Sequence, residues 1–239
     1  MENSQKIPYA LCIKADVIDS RRNHKERILP EIARELNESY AGTLFTPFSV
    51  RAGDELFSVL INPENGFQAY KMLYALSTAR DIPFYVGMGV GSIDLTNNTN
   101  AELVNGNAIW LATEALDALK GKPKNEILAR QKSARFRYAI TVSECSAENQ
   151  ALQHFLYYIM SRVMQRTELQ QRAAMLKEAH PDWDNLRLYR ALKGKSQEVI
   201  ASENAIANFS KLLRRGDYQL VRDAEDAFLL LIRRLCNTN

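Results

Sequence analysis

The sequence predicts an α+β fold that gives way to a wholly helical segment. Three observations lead there. Apolar runs of strand length alternate with helical periodicities through the first 146 residues. Two of those runs are separated by a short glycine-containing turn, the pattern of an antiparallel hairpin. From about Ala147 onward only helical patterns remain. The expected domains are therefore residues 1–146 and residues 147–239.

Taken in order, Tyr9–Ala15 reads as a buried strand closed by Asp16. Asp19-Ser20 offers capping chemistry for a helix over about Lys25–Tyr40, where Ile28, Ile32, Leu36 and Tyr40 share a face. Pro30 belongs in a first turn, which argues for a later start. Leu44–Val50 and Leu56–Ile61 bracket an acidic turn and form the hairpin, and Asn62-Pro63-Glu64-Asn65-Gly66 breaks it. Phe67–Thr78 follows as a helix with Tyr70, Leu73, Tyr74 and Ser77 inward. Pro83–Ile93 is a strand whose glycines at 87, 89 and 91 predict that another element crosses it closely. A polar loop from Asp94 to Asn100 precedes a helix over Asn107–Leu119, with Asn105 and Asn107 as its caps and Trp110 in its core. After a lysine-rich loop, Arg135–Val142 is the last strand. This succession suits a ferredoxin-like sandwich with helices over one face of a mainly antiparallel sheet. Leu152–Ala179 forms one long helix or two, ended by Pro181-Asp182.

Composition narrows the class. Apolar residues make up 46% and charged residues 25%, which excludes a disordered chain and suits a globular one. No apolar run approaches the ~18 residues of a membrane helix. Met1–Lys6 lacks a signal-peptide pattern, and Cys12, Cys145 and Cys236 have neither metal-ligand nor disulfide-framework spacing. The expectation is a cytoplasmic protein with no membrane partner. A net charge of +3 is too small to advertise nucleic acid. Residues 151–239, with 14 basic and 10 acidic side chains, permit such a contact.

The chemistry concentrates in two places on the first domain. Asp16 ends a buried strand, where an unpaired charge is costly. Asp54 and Glu55 follow Gly53 at the hairpin tip. An acid pair beside a glycine is by itself an ordinary solvated turn. A strand-end carboxylate facing that turn, however, can hold a hard divalent cation, Mg2+ or Mn2+, which in turn holds a phosphate chain. The metal ligands expected are Asp16, Asp54 and Glu55. A helix starting soon after Asp16 would offer backbone amides to phosphate, so Asp19, Ser20, Arg21, Arg51 and Gly53 are the expected nucleotide contacts. His24, His154 and His180 lack ligand spacing and read as structural or surface residues.

Val50-Arg51-Ala52-Gly53-Asp54-Glu55-Leu56 resembles the acidic glycine turn of diguanylate cyclases, with Ala52 at the first glycine, Leu56 at the phenylalanine and Arg51 one position late. Val86-Gly87-Met88-Gly89-Val90-Gly91 resembles the glycine-bearing strand of class III nucleotidyl cyclases, and Asp16 matches the strand-end metal ligand of both groups. With Ala15-Asp16-Val17-Ile18-Asp19-Ser20-Arg21, the whole chain most closely resembles the SatD family, which joins such a domain to a C-terminal helix-turn-helix. The resemblance implies a nucleotidyl-cyclase-like sandwich that binds nucleotide and metal. At the positions where class III cyclases carry their transition-state asparagine and arginine stand Trp110 and Glu114. A glutamate repels developing phosphate charge, so cyclisation is not expected and no catalytic residue is assigned.

In the second domain, Gly194-Lys195-Ser196-Gln197-Glu198-Val199-Ile200-Ala201-Ser202 looks like the opening of a helix-turn-helix spanning about 183–215. Trp183, Leu186, Tyr189 and Leu192 would form its scaffold helix, with Ala205 at the turn. A recognition helix over Ile206–Arg215 would bury Ile206, Phe209 and Leu213. It would present Asn208, Ser210, Lys211, Arg214 and Arg215 to double-stranded DNA. Lys211 stands where that pattern has an apolar residue, so a small bundle that packs or dimerises is the bland alternative. The function expected is a cytoplasmic regulator with a degenerate nucleotide-binding domain and a DNA-binding output. The alternatives are a metal-dependent nucleotidyl transferase using Arg51, Arg21 or Lys14, and a structural module forming a homodimer.

Overall fold

The computed structural model describes residues 9–23, 25–94, 104–132, 134–142, 146–194 and 202–238. The chain divides into two compact units, Met1–His154 with Leu229–Asn239, and Phe155–Phe228. In the first, strands β1 (Tyr9–Val17), β2 (Leu44–Arg51), β3 (Glu55–Leu60), β4 (Phe84–Ser92) and β5 (Phe136–Thr141) form one sheet. Their order is β2-β3-β1-β4-β5, antiparallel except for the parallel β4–β5 pair. The central strand β1 is an almost unbroken apolar run because both its faces are covered. Ala10, Leu11, Cys12, Ile13 and Ala15 are all fully buried.

Register tells the two faces apart. Cys12 opposes Gly89, so the two point the same way, while Leu11 and Val90 point to the other face. Helix α3 (Pro63–Ala79) lies on the Leu11 face, so close that a Cβ on Gly66 would stand 2.7 Å from Leu11 Cβ. Helix α4 (Asn107–Lys120) lies on the Cys12 face. A Cβ on Gly89 would stand 2.1 Å from the Ala108 carbonyl oxygen, and one on Gly87 2.4 Å from that of Ala112. The glycine alternation thus marked a close crossing, and α4 is the crossing element. Helices cover both faces of the sheet, not one as the element order suggested. The second layer arises because β4 and β5 are parallel and need a crossover, which α4 supplies.

Local chemistry moves several boundaries. The segment before Tyr40 is a single turn α1 (Ser20–Asn23), a 3-10 turn (Lys25–Ile28) and α2 (Leu29–Tyr40), with Pro30 near the start of α2. Asn62-Pro63 opens α3 instead of breaking the chain, because the Asn62 side chain accepts from the Glu64 N–H and Pro63 needs no N–H partner. The lysine-rich loop contains α5 (Glu126–Arg130), capped by Asn125. Neither Asn105 nor Asn107 caps α4. Gly106 is the cap residue, and Asn105 accepts from the Gly106 N–H. Trp110 is 70% exposed and not in the core. The face of α4 that meets the glycines is Ala108, Leu111, Ala112, Ala115, Leu116 and Leu119, and Trp110 falls opposite.

The predicted helix Leu152–Ala179 is two, α6 (Ser146–Met164) and α7 (Glu168–Ala179), the second begun by a Thr167/Gln170 capping box. The first turns of α6 belong with the sheet. Gln153 accepts from the Ile140 N–H and donates to the Tyr138 carbonyl, and Asn149 accepts from the Val142 N–H. With Gln131, which engages both backbone groups of Tyr138, these amides occupy the outer edge of β5. They explain why the first unit extends to His154, past the compositional change at 147. Residues from Leu229 also return to the first unit, where Arg233 pairs with Glu64.

In the second unit α7, α8 (Asn185–Lys193) and α9 (Ser202–Arg215) share a core of Ala173, Leu188, Leu192 and Phe209. Helix α10 (Tyr218–Thr238) follows, with Phe228 packed edge-on against Phe155. Among the described residues, no helix is long and apolar enough to cross a membrane.

The glycine stripe yields a stability prediction. Gly89→Ala pushes a methyl into helix backbone, which cannot swing away, so urea denaturation should report a loss of at least about 3 kcal/mol, the upper end of overpacking effects. Gly42→Ala, with nothing within 4 Å of the new Cβ, should stay within about 0.5 kcal/mol.

Candidate functional site

The site grows from the exit of β1. The Val17 N–H donates to the Asp54 carbonyl (3.1 Å) and the Ile18 N–H to the Pro83 carbonyl (2.9 Å), so the chain leaves the sheet clamped between the hairpin tip and β4. Asp19 then takes a left-handed φ of +54° and its carbonyl accepts from Arg22 N–H, which turns the chain into α1. Opposite, the Ala52-Gly53-Asp54 turn reverses β2 into β3 with φ of +50° at Ala52 and +92° at Gly53. Ala52 holds a conformation that glycine adopts without strain, at roughly 1–2 kcal/mol. The two turns are joined side chain to side chain, the Ser20 hydroxyl donating to Asp54 Oδ2 at 2.6 Å.

Between them opens a cleft of about 400 Å³. Three carboxylates line it, Asp16, Asp19 and Asp54, and three cations, Arg21, Arg22 and Lys120, with Val17, Ser20 and Tyr85 completing the wall. Five of the eight residues expected at a metal–nucleotide site are therefore brought together: Asp16, Asp54, Asp19, Ser20 and Arg21. Glu55, Arg51 and Gly53 do not line the cleft. Glu55 opposes Asp16 across the β1–β3 ladder, where Lys14 holds it (Nζ to Oε2, 3.4 Å) and Thr113 accepts from the same lysine. The Arg51 guanidinium lies over the Phe57 ring. Gly53 is exposed and shapes the turn through its backbone alone.

Two corrections bear on chemistry. The helix after Asp16 is the four-residue α1, too short to present a dipole, so anion affinity there falls to side chains. Trp110 and Glu114 line a separate surface groove of about 730 Å³ with Asp117 and Lys122, and not the cleft. Sequence reading overlooked Lys120 and Tyr85. Lys120 ends α4 and its ammonium stands 2.6 Å from Asp16 Oδ2. Its only signal in the sequence was a cation in a last turn, a feature of many helices.

Carboxylates beside cations in one cleft would suit a cation carried with phosphate. Asp16 and Asp54 are hard oxygen donors on one cleft. Among the described residues, no group of three or more histidine, cysteine or carboxylate side chains could hold a metal ion. Mg2+ is commonly held by one or two carboxylates, with phosphate and water supplying the rest.

In the second unit, Asn208, Ser210, Lys211, Arg214 and Arg215 are exposed on α9, whose buried side is Ala205 and Phe209. Ser210 accepts from Asn185 (3.0 Å). Ile206, expected inward, is 44% exposed. Helix α9 runs unbroken through Ala205, so no turn occurs there, because that small residue packs as a helical core position. The expected positioning helix at Gln197–Ala201 lies outside the described residues, as does His24. Trp183 precedes α8, stacked on His180 at 3.7 Å with the Arg187 guanidinium over its ring. The His154 ring contacts the Gln150 carbonyl on its own helix.

No family model matches the chain, and no curated protein matches it.

Cys12 reports on the layer between the sheet and α4. It is buried under α4 with Phe57, Ala108 and Ala112, and burial pushes its thiol up from 9.0 to about 12. In the native protein at about pH 8 it should resist alkylation that proceeds after denaturation, read by peptide mass mapping. A raised folded pKa contributes stability that is complete below the unfolded value. Its share should therefore be lost between pH 9 and 12, with wild type declining more steeply than Cys12→Ala.

Proposed function

We propose that the chain is a cytoplasmic regulatory protein of the SatD type, binding a nucleotide with Mg2+ or Mn2+ in its first unit and double-stranded DNA through its second. The observation that carries the first half is the cleft itself, where acids and cations meet around the Ser20–Asp54 bond. The strand order β2-β3-β1-β4 with antiparallel neighbours supports a ferredoxin-like core, as a cyclase-like domain requires. Asp16 and Asp54 would hold the cation. Arg21, Arg22 and Lys120 would neutralise phosphate oxygens, the arginines in bidentate fashion.

Turnover is not part of the proposal. Trp110 and Glu114 line a different groove and would not stabilise a phosphate held in the cleft. Of the three cations a transferase could use, Lys14 is held by Glu55 and Thr113 and Arg51 lies on Phe57, which leaves Arg21 in the cleft. A bound nucleotide would act on DNA affinity to the extent that it favours one state of the protein over another.

Thermal-shift assays with nucleoside triphosphates and Mg2+ or Mn2+ test the first half. A ligand at roughly 100 times its Kd should add about 2.7 kcal/mol of stability, and Asp54→Asn should abolish the shift. No shift with any nucleotide would refute the site.

The second half rests on the exposed basic end of α9. Lys211, Arg214 and Arg215 suit phosphate contacts, and Asn208 suits a base edge. Fluorescence anisotropy should show that changing Arg214 and Arg215 to alanine weakens binding to all duplexes and lowers the salt slope by roughly one unit per lost contact. Asn208→Ala should narrow the gap between specific and random DNA by about 1–3 kcal/mol. A wild-type protein that ignores duplex DNA at low salt would leave α9 a packing helix.

A further inference from the structure

We propose that Lys120 is a built-in counter-cation for Asp16, so that the cleft admits a divalent cation readily only when a phosphate arrives to take the lysine over. This rests on the reading of the cleft as a cation–phosphate site and adds how that site is regulated.

The pairing pattern of the sheet creates the need. Asp16 and Glu55 stand directly opposite each other on β1 and β3, and like charges so placed are destabilising. Two lysines resolve the conflict in different ways. Lys14 holds Glu55 from within the layer under α4, tied to Thr113, with both partners less than one-fifth exposed. Lys120 holds Asp16 from the open side. Its ammonium is 2.6 Å from Oδ2, its own side chain is 40% exposed, and that of Asp16 is 16% exposed. The helix that carries Lys120 is seated on the glycine stripe and cannot slide, but the lysine side chain can swing into the cleft it lines.

Asp54 provides the contrast. Its partner is the neutral Ser20 hydroxyl, which does not oppose an incoming cation. At Asp16 a divalent cation must displace an ammonium and then sit beside it, two like charges in a partly buried place. A phosphate group in the same cleft accepts that ammonium and removes the repulsion. Cation and phosphate therefore bind with positive and reciprocal coupling, and Lys120 is its source.

Mn2+ alone is the direct probe, with the free-ion paramagnetic resonance signal as readout on the full chain. Lys120→Met should bind Mn2+ alone about tenfold more tightly than wild type, within the range usual for coupled sites. Lys120→Arg, which keeps the charge, should behave as wild type. Adding Asp16→Asn to Lys120→Met should erase the gain. Because the triphosphate itself removes the free-ion signal, thermal shift is the readout when Mn2+ and a nucleoside triphosphate are supplied together. Lys120→Met should then show no tenfold advantage over wild type. Circular dichroism establishes that each variant is folded. If wild type binds the Mn2+–nucleotide pair while Lys120→Met binds Mn2+ alone no better than wild type, the counter-cation role is overturned and the site stands. A gain that survives Asp16→Asn would also overturn it, because the ion would then bind elsewhere. Failure of every variant to bind Mn2+ or its nucleotide complex overturns the site and the counter-cation together.

Discussion

The seating of α4 on the glycines of β4 is the constraint on which the first unit depends. Any side chain at Gly87 or Gly89 would occupy space held by the backbone of α4, so helix and strand touch main chain to main chain. This contact makes the sheet three-layered and buries Cys12 and Phe57. It also fixes the helix along its axis, and the position of its side chains follows. Thr113 meets Lys14, and Lys120, the last residue of the helix, meets Asp16. A looser helix, held only by long side chains, would not place an ammonium at a chosen carboxylate.

Electrostatics of the cleft follow from that placement. Three acids and three bases share one opening, so the cleft is charge-balanced rather than strongly acidic or basic. Balanced clefts suit ligands that carry both signs, such as a cation with a phosphate chain, because each partner satisfies one set of side chains. The acids are not equivalent. Asp54 is held by a hydroxyl, Asp16 by an ammonium and Glu55 by a lysine beneath the helix. Three carboxylates that strand pairing gathers at one end of β1 and β3 therefore differ in what it takes to reach them.

The edges of the sheet show a second use of polar side chains. The outer edge of β5 is filled by the amides of Gln131, Asn149 and Gln153, which satisfy backbone groups that would otherwise template another strand. Because two of those amides come from α6, the helix is bound to the sheet at its beginning and belongs to the second unit only from Phe155. The second unit relies instead on helix caps, the Thr167/Gln170 box and Asp184, around a small core centred on Phe209.

Local sequence determined much of this molecule. Strand and helix periodicity located the five strands and most helices, and the glycine alternation marked a close crossing. Strand-end and turn positions singled out Asp16, Asp19, Ser20, Arg21 and Asp54, because conformations available to a few residue types are written in those types themselves. Tertiary structure alone decided the rest. It removed Glu55 and Arg51 from the cleft by giving them Lys14 and Phe57, turned Trp110 outward, and carried α9 through Ala205. It also brought Lys120 to Asp16 across more than a hundred residues of chain. A lysine at a helix end has no sequence signal that distinguishes a partner in the sheet from solvent. Which carboxylate it meets is set by where the helix comes to rest, and that depends on contacts between residues far apart in the chain.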